Sequence, residues 1–69
     1  MNTQKAIQSI TEHISTYSTL ARAKQLLLIV QKPMPDLACH SVCTEKGITY
    51  EELRQAVEQA VSILEAKAS

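Results

Sequence analysis

Apolar residues recur along this chain at the three- and four-residue spacing of helix faces, in four blocks separated by helix breakers. The first block runs from about Thr3 to Thr16 and sets Ile7, Ile10, Ile14 and Tyr17 on one face. Its other faces carry Gln4, Ser9, Thr11, Glu12 and Ser15. The run Ser15-Thr16-Tyr17-Ser18-Thr19 is a weak helix former rich in N-cap residues, so a break is expected there. One long helix is the alternative. The second block, about Thr19 to Gln31, aligns Leu20, Ala23, Leu27 and Val30, with Leu26, Leu28 and Ile29 widening the stripe. So broad an apolar surface belongs at the centre of a bundle or against a partner. Pro33 and Pro35 then stop the helix, because a residue that precedes proline avoids the helical region.

A third helix is expected from near Pro35, with Asp36 favoured at the positive end of its dipole. Its inner face is read as Leu37, Ala38, Ser41 and Val42. Gly47 ends it, since glycine enters the left-handed region without a Cβ clash. The fourth helix has the clearest start. Thr49-Tyr50-Glu51-Glu52 is a capping box, and Ile48 with Leu53 fits a hydrophobic staple around it. Leu53, Ala56, Val57, Ala60, Val61 and Leu64 then keep helical spacing towards the chain end. The expected fold is all-α, a small bundle of about four helices.

Composition sharpens this outline. The 69 residues make one domain, read as 1–69; its last helix has no Gly or Pro stop, so it could equally be the N-terminal domain of a longer protein. A chain this short buries only about 60% of its unfolded surface. Phe and Trp are absent, so the core rests on aliphatic side chains and two tyrosines. Both a lone chain and a homodimer that shares its core are compatible with that limit.

Charge is balanced overall but not along the chain. Residues 1–34 hold Lys5, Arg22, Lys24 and Lys32 against Glu12 alone. Residues 35–69 hold Lys46, Arg54 and Lys67 against Asp36, Glu45, Glu51, Glu52, Glu58 and Glu65. Two cysteines do not make a disulfide scaffold. The longest apolar run, Leu26 to Val30, is too short to span a membrane, and the start lacks the apolar stretch of a signal peptide. A cytoplasmic protein with no membrane association is expected.

Residues 39–58 carry a resemblance. Val42 and Cys43 give an apolar-then-small pair, Gly47 follows four positions later, Ile48 is the next apolar residue, and Leu53 and Ala56 continue the inner face. This spacing resembles helix-turn-helix DNA-binding proteins. Lys46 departs from the pattern, which has an apolar residue before the glycine; its aliphatic stem can cover the same surface. The resemblance implies a bacterial, plasmid or phage transcriptional regulator that binds duplex DNA through the helix from Thr49. Arg54 would read guanine and Gln55 adenine, Glu51 would accept from cytosine, and Thr49, Tyr50, Lys46 and Lys32 would contact phosphate. The helical part of winged-helix regulators is also similar, with residues 19–31 as the preceding helix, but no β-hairpin follows.

The plainer reading makes Arg54 and Glu51 a solvated pair and the chain a non-enzymatic helical interaction module, whether an adaptor, an antitoxin-like protein or an oligomerisation domain. The broad apolar stripe and the acidic second half fit it. Cys39, His40 and Cys43 offer too few ligands for zinc, and Cys43 with His40 lacks the third group that a nucleophile needs. No enzyme activity, cofactor, metal or small-molecule substrate is expected.

Overall fold

The structure is a computed structural model that describes residues 3–68. The expectations about residue 69 as a chain end, and about Met1 and Asn2 as part of a signal-free start, lie outside those residues. Four helices and no strand occur among the described residues: α1 (Thr3–Tyr17), α2 (Leu20–Val30), α3 (Leu37–Lys46) and α4 (Tyr50–Ala68). None is long and apolar enough to cross a membrane.

The breaks fall where local chemistry puts them. Thr19 adopts an extended backbone and its Oγ1 accepts from the Arg22 N–H at 3.2 Å, which starts α2 after the two-residue break. Past Val30, the Gln31 N–H still bonds the Leu27 carbonyl at 3.1 Å, and the chain then leaves the helix through Pro33 and Pro35. Asp36 caps α3, its Oδ1 accepting from the Cys39 N–H at 2.8 Å. Pro35 therefore precedes the cap and is not a first-turn residue. Gly47 ends α3 at φ 68°, ψ 36°, a conformation that disfavours a Cβ. The Ile48 N–H reaches back to the Cys43 carbonyl at 3.0 Å. The capping box is reciprocal: the Thr49 N–H donates to Glu52 Oε1 at 2.8 Å, and the Glu52 N–H to Thr49 Oγ1 at 3.1 Å.

Helix α4 is the axis of the fold. Both α1 and α2 pack along it, whereas α3 touches it lightly and the other helix pairs barely meet. Close approach is possible because α4 presents Ala56 and Ala60, both fully buried, and α2 presents a fully buried Ala23. Val57, Val61 and Leu53 pack in one core with Ile14 from α1 and Val30 from α2.

Two inner faces, those of α1 and α3, differ from the sequence expectation. Thr11, read as an outer residue, is buried between α1 and α4. Its hydroxyl lies 2.8 Å from the Ile7 carbonyl and 3.2 Å from the Ala56 carbonyl, so its single proton is shared between helices. Tyr17, read as inner, is 77% exposed and stacks obliquely on His13, ring centroids 5.0 Å apart. In α3 the buried residues are Cys39 and Cys43, while Leu37 is 89% exposed and Ala38, Ser41 and Val42 are not buried either. Asp36 and Gly47 fix where α3 starts and stops, and Cys39 and Cys43 are the residues it turns to the core.

The Asp36 cap carries a pH signature. Hydrogen bonds from the Cys39 N–H and from the Cys39 thiol, and more weakly Lys32, hold its pKa below the ordinary carboxylate value. A lowered folded pKa contributes stability above the unfolded value of about 3.9 and loses it as pH falls through the folded value. Asp36→Asn keeps an N-cap acceptor but cannot titrate. The variant is expected to show a flatter melting-midpoint profile on the acid side of pH ~4 than the native chain; identical profiles would remove Asp36 from the acid response.

Candidate interaction surface

Helix α3 packs only lightly on α4, and the space between it and α1–α2 is not filled. An open-mouthed trough of about 330 Å³ results. Its floor is core: Val30, Cys39, Leu53 and Val57. Ile10 and Ile14 line it from α1, Leu26 and Ile29 from α2, Ala38 and Val42 from α3. Two charged residues stand at its edge, Arg22 on α2 and Asp36 at the head of α3. A shallower depression adjoins it, lined by Met34, Pro35, Leu37 and His40, with Asp36 and Ala38 common to both. Leu37 and Met34 stand exposed beside the trough, an apolar projection next to an apolar recess. A third hollow, bounded by Ser9, His13 and Lys46, shares Ile10 and Val42 with the trough.

The residues expected to meet DNA divide into two groups. Thr49, Glu51 and Gln55 lie exposed at the start of α4, with Lys46 exposed just before the turn and Lys32 exposed after α2. Tyr50 and Arg54 do not project. Both are half-buried and turn towards the C-terminus of α2. The Tyr50 hydroxyl donates to the Ile29 carbonyl at 3.1 Å, and Arg54 Nε donates to the Val30 carbonyl at 3.0 Å. The Arg54 guanidinium also sits over the Tyr50 ring, 5.5 Å from its centroid. The last carbonyls of a helix lack intrahelical partners and carry the negative end of its dipole, so a phenol and a cation from α4 complete α2. Burial is the main reason the Tyr50 hydroxyl is pushed above its ordinary pKa. Sequence reasoning missed this pair, although two donors one helical turn apart were a signal that one neighbour could take both.

The remaining exposed face of α4 is acidic. Glu51, Glu58 and Glu65 recur every seven residues along it, and Arg54 is turned away. The cysteines are free and buried. Burial raises both thiol pKa values; Asp36 adds to the effect at Cys39 and Glu52 at Cys43. A raised pKa disfavours the thiolate form of both. His40, between them in sequence, is exposed. No group of three His, Cys, Asp or Glu side chains suited to a metal ion occurs among the described residues.

Compared with protein-family models, curated proteins and solved structures, the chain has no match in any of the three.

The two roles open to Arg54 differ in energy. A solvated pair with Glu51 is worth a few tenths of a kcal/mol. A charged donor on an otherwise unpaired carbonyl is worth about 1.5 kcal/mol or more. Arg54→Ala is expected to cost about 1–2 kcal/mol in denaturant unfolding and to speed amide exchange at Gln31 and Lys32. A cost within about 0.5 kcal/mol, with exchange unchanged, would contradict the capping role.

Proposed function

We propose that this chain is a non-enzymatic helical protein–protein interaction module whose contact surface is the apolar trough bounded by α1, α2 and α3. The observation that carries this reading is the open recess continuous with exposed Leu37 and Met34. Contact surfaces of soluble proteins are apolar patches rimmed by polar groups, and helix-in-groove recognition uses recesses of this kind. Arg22 and Asp36 at the edge supply the polar rim. Two buried free thiols fit a reducing compartment such as the cytoplasm.

Duplex DNA is the second reading. It is supported by the left-handed turn at Gly47 and by the exposure of Thr49, Glu51 and Gln55 directly after it, with Lys46 alongside. Against it, the exposed face of α4 repeats glutamate, which repels phosphate, and the guanidinium best suited to read guanine already serves α2. Affinity for DNA comes largely from neutralised phosphates.

The first reading is tested with anilinonaphthalene sulfonate, at a dilution where sedimentation finds single chains. Its fluorescence is expected to rise with the folded protein. Val42→Glu, which sets a carboxylate on the trough wall, should abolish most of that rise while leaving the circular dichroism unchanged. No rise, or an equal rise in the variant, would overturn the reading. Mixed-sequence duplex DNA tests the second. The chain is expected to give no mobility shift at about 50 mM salt; a shift that weakens steeply towards about 200 mM would establish DNA binding instead.

A further inference from the structure

A recess whose own neighbouring residue is an exposed leucine can be closed by a second copy of the same surface. Leu37 is a projection and the trough a hole, and both lie on one patch, joined through Asp36 and Ala38. An isologous contact requires each copy to offer both, so that a two-fold rotation can set one copy's projection over the other's hole. The charges at the edge obey the same symmetry. Arg22 and Asp36 flank a single mouth with opposite sign, so the rotation that seats Leu37 can also bring each arginine to the other copy's aspartate. A foreign partner would need neither coincidence.

Leu37 and Met34 are the large exposed apolar side chains on this patch.

We infer that the trough is the interface of a two-fold homodimer, in which Leu37 of each chain enters the trough of the other and Arg22 faces Asp36 across the axis. The inference rests on the reading of the trough as a contact surface. A contact with one apolar anchor per chain is expected to be weak, with a dissociation constant on the order of 10 µM.

Sedimentation velocity from about 1 to 200 µM tests it, since that range brackets the expected constant. The native chain should pass from one chain to two across it. Leu37→Glu should remain a single chain throughout; Leu37 is so exposed that its helical spectrum and melting midpoint should match those of the native chain. Arg22→Asp should weaken association at least fivefold, and added salt should weaken the native dimer. A native chain that stays single at 200 µM, or a dimer indifferent to Leu37→Glu, would overturn the inference. Failure here with dye still bound by the single chain leaves the trough a contact surface for another protein; failure of the dye experiment removes the surface itself.

Discussion

A core without phenylalanine or tryptophan must be closed by bringing helices close together, and α4 is where that happens. Ala56 and Ala60, fully buried, let α1 and α2 lie against the same helix, and Ala23 does the same from the other side. Short side chains at the crossings replace large ones in the gaps. The solution works for three helices. It leaves no large residue to span the distance from α3 to α1 and α2, and Cys39 and Cys43, which do face inward, are small. The trough follows from the same shortage of volume that makes α4 central.

The polar groups reinforce this arrangement. Thr11 shares its proton between the backbones of α1 and α4. Tyr50 and Arg54 complete the end of α2 from the first turns of α4. Helix α4 thus binds both flanking helices through side-chain hydrogen bonds as well as packing. The start of α4, the part a helix-turn-helix protein would lend to DNA, is here partly committed to the interior. Part of what the described residues leave uncovered is an apolar patch: the trough, Leu37 and Met34.

Local chemistry was legible in the sequence, and tertiary choice was not. Thr49 with Glu52, Asp36 and Gly47 act within a few residues of themselves, so their roles as cap and turn could be read directly. The apolar repeat of α4 is regular enough to name its buried face. Helix α3 is different. Leu37, Ala38 and Val42 on one side compete with Cys39 and Cys43 on the other, and periodicity cannot choose between two apolar faces. The smaller pair is the one that faces the core. Tyr50 and Arg54 looked like surface residues because their acceptors lie 21 and 24 positions away, at carbonyls that become available only once α2 ends beside α4.

The central claim is that Leu37 of one chain occupies the trough of another. Isotope-filtered methyl NMR on an equal mixture of labelled and unlabelled chains, at a concentration well above the expected dissociation constant, observes that contact directly. The account predicts intermolecular NOEs from the Leu37 methyls to those of Leu26 and Ile29. Their absence, with Leu37 resonances that do not move on dilution, would contradict it.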